Sequence, residues 1–497
     1  MIKSSTNLLK GLRGLVPAVL LLLILWMLDS FVIRKMDQAT CKAAVVFMTA
    51  INAAMQTVCL LDLKVHPTWD FGAVMTGAAD IAAGQPIRNT FYFQEYPFNL
   101  NPAIVIGTFK YLLGGWEQAP YVLNIIAVTS SVAGACMTAW RIFSPRASVK
   151  TALFCLAATP LYLYIPIVYT DTLSMPFAIG SVYAWSHVRF PGASSAGTHR
   201  LPACASLGLL AAAGYLIKPV AAIGLLAFAA DYFMCRGSYR FTYGYSKGAI
   251  RGFFKKLLPL SVAAAVFLAA VFSFRAYTDL KGFTARLDRN GRIPYTHWIM
   301  MGMNKPAAEG GTSYGYGGFS NDDLLFTRAF KTAGEREAAD TAVIRLRLEE
   351  LGPAGYAAFL LKKLEWTWTD GTYYAPVKLG RYPVKLSMLH KFILFSKGRS
   401  NRLYLAFTQL TQGLLLFLLF LSAVFSLLRR RESGFCSFIL LMSLGLALFL
   451  LVWETRSRYL TFMIPAFTVL AAGTAERLFT VMDKLSEKIG YKFRKSV

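Results

Sequence analysis

The chain has 497 residues, 56% of them hydrophobic, and a mean hydropathy of +0.47, far from a soluble globular average. Its formal net charge of +26 does not point to nucleic acid, because lysine and arginine sit in short loops beside apolar runs: Arg34/Lys35/Lys42, Arg141/Arg146/Lys150, Arg236 to Lys256, Arg429 to Arg431, and Lys484 to Lys495. That is the positive-inside pattern of a membrane protein, helped by attraction to anionic lipid.

Runs long enough to cross a hydrocarbon core, about 20 residues, have to be helices, since lipid offers the backbone no partner. The first, Leu15–Ile33, follows Lys3, Lys10 and Arg13 in the manner of a signal peptide. It lacks a small-x-small cleavage site and reads as a retained helix, with its orientation left open by the charge rule. Ala43–Leu63 rises from the cytoplasm into an external loop, 64–118. Within that loop Pro102–Leu113 is too short to span and reads as a helix on the membrane surface.

Ala119–Ala139, Val149–Ile167, Asp171–Val188, Leu201–Ile217, Val220–Met234 and Leu257–Phe274 then alternate in direction. Segment 276–400 is external; it holds a Gly/Tyr-rich loop at Gly310–Gly318 and two amphipathic stretches, Ala338–Leu351 and Pro353–Thr367. Leu403–Leu428, Phe435–Trp453 and Tyr459–Leu478 complete an all-α polytopic protein of about ten or eleven spanning helices. The organisation is therefore an N-terminal helix and loop (1–43), a transmembrane module (44–275), the external segment 276–400, and C-terminal helices with a basic tail (401–497). Cys41, Cys59, Cys136, Cys155, Cys204, Cys235 and Cys436 all fall in or beside apolar runs, and none shows zinc-ligand spacing or argues for a disulfide framework.

Ionisable groups at a membrane boundary are costly and are functional candidates. This threading puts Asp62, His66, Asp70, Asp80, Glu95, Asp171, Lys218, Asp370, Glu454, Arg456 and Arg458 on one side. Asp70, between Trp69 and Phe71, has the partly desolvated setting of a general base, or caps a helix. Asp171 opens a helix and has the same capping alternative. Glu95 can orient an acceptor or sit in a polar loop. Arg456 and Arg458 match phosphate, or anchor the helix by snorkelling, and Lys218 shares both readings. No GxxxxGK[ST], HExxH or GxGxxG occurs, and the GxSxG at Gly311–Gly315 lacks the strand-to-helix turn of a nucleophile elbow.

The strings Trp69-Asp-Phe-Gly, Tyr92-Phe-Gln-Glu-Tyr-Pro-Phe-Asn99, Met301-Gly-Met-Asn304, Trp368-Thr-Asp-Gly-Thr-Tyr373 and Arg456-Ser-Arg-Tyr459 resemble a bacterial subgroup of the GT-C membrane glycosyltransferases. The branch is that of protein O-mannosyltransferases and aminoarabinose transferases. That subgroup reads YPNN where Phe98 stands here. The resemblance implies a GT-C-like helical bundle that uses a polyprenyl-phosphate sugar. Asp70 would be the base, supported by Asp171 and Glu95, and Arg456, Arg458 and Lys218 would face the donor phosphate. His66, Trp69, Tyr96, Asn99 and Asp370 would contact acceptor or sugar. It implies inverting transfer to an extracytoplasmic acceptor (an envelope glycan, lipid or protein) by a multi-pass plasma-membrane enzyme in contact with lipid. The scheme requires no cofactor, although an acidic cluster can hold a divalent metal. The competing readings are a lipid-linked sugar flippase or transporter and a polysaccharide polymerase or ligase.

Overall fold

The computed structural model describes residues 18–190, 200–234, 249–306, 315–394, 399–428 and 437–495. Lys3, Lys10, Arg13, the basic clusters at 236–248 and 429–431, Cys235, Cys436 and residues 310–314 of the Gly/Tyr-rich loop lie outside these.

The described chain is helical throughout, and the isolated bridge Val65–Pro383 is its only β pairing. Helices α1 (18–31), α2 (Gln38–Asp62), α3 (Trp69–Ala82), α4 (Thr90–Glu95) and α5 (Leu100–Leu112) come first. They are followed by α6 (Ala119–Ile142), α7 (Pro145–Ala157), α8 (Pro160–Leu163), α9 (Thr170–Leu173), α10 (Met175–Arg189), α11 (Arg200–Ile217), α12 (Ile223–Met234) and α13 (Ala249–Leu280). The 276–400 segment carries α14 (Tyr295–Met301), α15 (Asn321–Arg328), α16 (Ala333–Trp368), α17 (Ala375–Leu379) and α18 (Met388–Leu394). The last three are α19 (Arg399–Leu428), α20 (Ser437–Val452) and α21 (Ile464–Lys495).

Six described helical stretches are long and apolar enough to cross a membrane: Gln38–Asp62, Ala119–Ile142, Arg200–Ile217, Leu257–Leu280, Ser400–Leu428 and Ser457–Glu487. Pro219–Met234 and Ser437–Val452 are shorter apolar helices. This is fewer than run length suggested, because two runs expected to cross singly are broken. The 149–167 helix stops at Ala157 and restarts as the one-turn α8, and 171–188 divides into α9 and α10. In each case a proline opens the new helix, Pro160 and Pro176, where the missing N–H costs nothing but ends the preceding ladder.

The core lies among α6, α7, α10, α11, α20 and α21, where fully buried Trp185 stacks on Phe438 with ring centroids 5.2 Å apart. The Trp185 indole donates to buried Asp231 at 2.9 Å, which satisfies both polar groups in an apolar setting. In segment 64–118, α5 packs against α3 at close range. A Cβ at Gly107 would stand 2.7 Å from the Ala78 carbonyl oxygen, so only glycine permits that approach. At 13 residues α5 is about 20 Å long, short of a hydrocarbon core of about 30 Å.

The two amphipathic stretches of 276–400 form one 36-residue element kinked at Gly352, where φ is 59°. That left-handed residue followed by Pro353 divides α16 where the sequence divides it. A capping box between Thr332 and Glu335 starts it. Segments 64–118 and 276–400 are tied together: the His66 N–H donates to the Tyr382 carbonyl at 2.9 Å and the Val384 N–H to that of Lys64 at 2.9 Å.

Candidate active site

A cavity of about 1730 Å³ opens where α3, α4, the turn after α11, α17, and the chain between α20 and α21 converge. Asp70 lines it from the first turn of α3. The helix begins one residue earlier, so Asp70 is not its cap; the cap position is Thr68. An acid in the first turn is favoured there by the helix dipole. Its Oδ1 accepts from the Tyr92 hydroxyl at 3.0 Å. That hydroxyl accepts from Asn99 Nδ2 at 2.6 Å, and Asn99 Oδ1 accepts from the Tyr169 hydroxyl at 3.3 Å. This relay links α3, α4 and α9, and holds one Asp70 oxygen in place.

The cations stand on aromatic rings. Trp69 takes the left-handed φ of 48°, a conformation that costs a bulky residue and concentrates at functional sites. Its ring lies 5.3 Å from the Arg458 guanidinium and 3.3 Å from Lys378 Nζ. Tyr374, also left-handed at φ 65°, lies 4.7 Å from the Arg456 guanidinium. Arg458 is 6% exposed, and its Nη1 has no hydrogen-bond partner. Its Nε lies 3.5 Å from Asp171 Oδ2, and Lys218 Nζ pairs with Asp171 Oδ1. Asp171 is buried and neither caps a helix end nor lines the cavity; it holds two cations that do.

Other predicted residues have structural partners. Asp370 accepts from the Thr372 and Tyr374 N–H groups at 2.9 and 3.0 Å and from the Ser457 hydroxyl at 2.6 Å. It therefore shapes the turn under Arg456 and ties it to the 456–458 chain. Buried Glu95 accepts from Arg328 Nε at 2.8 Å, joining α4 to α15. Asp80 holds Arg88 at 2.8 Å, Asp62 meets Lys385 at 3.7 Å, and His66 is exposed outside the cavity lining. Tyr96 lines the cavity beside Tyr92 and Trp298, with centroids at 5.0 and 5.9 Å. Phe98 also lines it, against Tyr215. Lys363 is fully buried and donates to the carbonyls of Gly302, Leu451 and Trp453 at 2.6–2.9 Å. It thereby fixes the strand-like exit from α20 that leads to Arg456. Burial pushes its ammonium down to about 7, opposed by Glu454. Among the described residues no three Asp, Glu, His or Cys side chains gather as a metal site needs.

A protein-family profile described as "Conserved hypothetical integral membrane protein" matches residues 2–479. The chain belongs to this family. Members of it are integral membrane proteins, in keeping with the apolar helices described above. Among curated proteins no sequence matches the chain. Among solved structures it is similar to the oligosaccharyltransferase AglB of Archaeoglobus fulgidus in complex with an inhibitory peptide and a dolichol-phosphate, at 13% identity and a TM-score of 0.44. That match covers 90% of this chain and 52% of the other, so the chain spans about half the length of that relative. ArnT of Cupriavidus metallidurans bound to undecaprenyl phosphate is similar at 15% identity and a TM-score of 0.38, covering 87% and 78%.

In this family member the cavity contains residues that sequence reasoning did not single out: Lys378, Arg381, Arg328, Tyr92 and Tyr169. Lys378 follows Pro376 in a five-residue helix and looks, in sequence, like any of its loop neighbours Lys362, Lys385 and Lys391. Only the fold places it on Trp69, more than 300 residues away in the chain.

Proposed function

We propose that this integral membrane protein transfers a sugar from a polyprenyl-phosphate donor to an acceptor hydroxyl, with inversion, at the extracytoplasmic face of the plasma membrane. The observation that carries the reading is Arg458, a buried guanidinium with an unpartnered Nη1 on the wall of the cavity that holds Asp70. A buried, half-satisfied cation is costly unless an anion completes it, and a phosphate headgroup entering from lipid does so. Arg456 and Lys218 add charge beside it, and Asp171 fixes Arg458 and Lys218 in position.

In the transfer, the acceptor oxygen attacks the anomeric carbon while its proton passes to the Asp70 oxygen that Tyr92 leaves available. The bond from that carbon to the phosphate oxygen breaks, and the electron pair goes to the phosphate. Preorganised guanidinium groups stabilise the charge that develops there. Apolar residues of the same cavity, Val220, Ile223, Leu226, Phe449 and Leu450, suit the lipid that carries the phosphate.

The test uses the purified protein in lipid nanodiscs with polyprenyl-monophosphate sugars, and compares envelope glycans from cells with and without the gene by mass spectrometry. Asp70→Asn is expected to lower transfer by about 100-fold or more while still binding polyprenyl phosphate. Arg458→Ala is expected to weaken that binding by about 10-fold or more. Full transfer by a folded Asp70→Asn protein removes Asp70 as the base, and unchanged binding by Arg458→Ala makes Arg458 an anchor.

A further inference from the structure

We infer that Lys378 is a further catalytic residue of this cavity, one that meets the leaving phosphate and returns to it the proton that Asp70 takes from the acceptor. The inference rests on the transfer proposed above.

Lys378 is 5% exposed, yet it lines the cavity, and among the described residues no carboxylate lies within salt-bridge reach of its Nζ. The amine sits on the Trp69 ring at 3.3 Å from the centroid, next to the residue that bears the base. The charged groups that act on it most strongly are Arg458 and Arg456 from the chain before α21, Arg381 from its own segment, and Asp70 from α3. Burial and those three arginines hold its ammonium well below the usual lysine range, while Asp70 works the other way. The Trp69 face is the partner this lysine has, and no carboxylate balances its charge; an anion between it and Arg458 does.

A phosphodiester entering the cavity supplies the missing negative charge, so Lys378 takes up a proton as the donor binds. In the transfer, the acceptor oxygen bonds to the anomeric carbon as the carbon–oxygen bond to phosphate breaks, and Asp70 receives the acceptor proton. Lys378 gives its proton to the phosphate oxygen, and the Asp70 proton then passes to Lys378. The balance is an acceptor hydroxyl plus a diester monoanion going to a glycoside plus a polyprenyl hydrogen-phosphate monoanion. Both protein groups return to their starting state, and product release frees the proton taken up at binding.

The experiment is calorimetry of the whole protein in nanodiscs with a short polyprenyl methyl phosphodiester, whose single charge does not change near neutral pH. Titration in buffers of differing ionisation enthalpy counts protons. Wild type is expected to take up about one proton per ligand bound. Lys378→Arg, always charged, is expected to bind the probe, take up no proton, and lose about 100-fold in transfer. Lys378→Met removes a buried amine among arginines and serves as a second variant, also without uptake. Binding by wild type with no proton uptake, or uptake retained in Lys378→Arg, overturns the role of Lys378 and leaves the transfer reading intact. No binding of the probe by wild type overturns the transfer reading itself, and this inference with it.

Discussion

At the scale of single residues, the site depends on one hydroxyl. Tyr92 donates to Asp70 at 3.0 Å and accepts from Asn99 at 2.6 Å, so it orients the carboxylate without carrying charge. Tyr92→Phe keeps the ring packing against Tyr96 and Phe93 but frees the Asp70 oxygen and leaves the Asn99 amide without its acceptor. Transfer is expected to fall about 10-fold, with binding of polyprenyl phosphate within about twofold of wild type. Measuring the two separately distinguishes orientation from fold damage, which would reduce both. The acid was legible in sequence because a carboxylate flanked by Trp69 and Phe71 at a helix start is unusual. The role of the tyrosine was not: Tyr92 opens one of the strings that carry the resemblance, but only geometry puts its hydroxyl on Asp70. Asp171 and Glu95 stood out in sequence as candidate groups near a membrane boundary, but their partners Arg458 and Arg328 are reached only through folding.

At the scale of elements, α14, α15 and α16 are joined by a buried polar chain. His297 Nδ1 meets the Thr327 hydroxyl at 2.7 Å, and that hydroxyl donates to Asp340 at 2.7 Å. His297 must then carry its proton on Nδ1, leaving a bare Nε2 that is buried without a partner. Protonating Nε2 places an unsolvated charge there, and burial pushes the histidine down to about 4 from 6.5. A base whose folded pKa lies below its unfolded one contributes stability that is present above the unfolded value and lost as pH falls towards the folded one. Helices α14, α15 and α16 are therefore expected to lose up to roughly 3 kcal/mol of stability between those two values. Asp340, raised by its own burial, offsets part of that loss. Thermal melts across this window should fall with pH in wild type and flatten in His297→Gln, which cannot titrate. The helix patterns of α16 were legible, including the break at Gly352-Pro353, because amphipathic periodicity and proline are local signals. The breaks at Pro160 and Pro176 were not, since uniform apolarity masks where one helix ends and another begins.

For the whole molecule, the site requires that 64–118 and 276–400 occupy one face, and α5 decides this. A crossing at α5 would put Asp70 and Asp171 on opposite sides of the bilayer. Instead Arg458 touches both the Trp69 ring and Asp171, and the Asp70–Tyr92–Asn99–Tyr169 relay ends next to α9. Between Lys42 and His66 runs α2, whose 25 residues make about 37 Å, enough to span. His66, Arg292 and Lys42 are all exposed, and Cys41, Cys59, Cys136, Cys155 and Cys204 are buried. Variants His66→Cys, Arg292→Cys and Lys42→Cys, each with Cys235 and Cys436 replaced by serine and the five buried cysteines kept, therefore read the topology over a low background. A membrane-impermeant maleimide is expected to label the first two on intact cells and Lys42→Cys only after permeabilisation. Labelling of His66→Cys and Arg292→Cys from different faces would contradict the backbone pairing of Val65 with Pro383. Labelling of both only after permeabilisation would move the whole cavity to the cytoplasmic side, where a polyprenyl-linked sugar would be consumed before export.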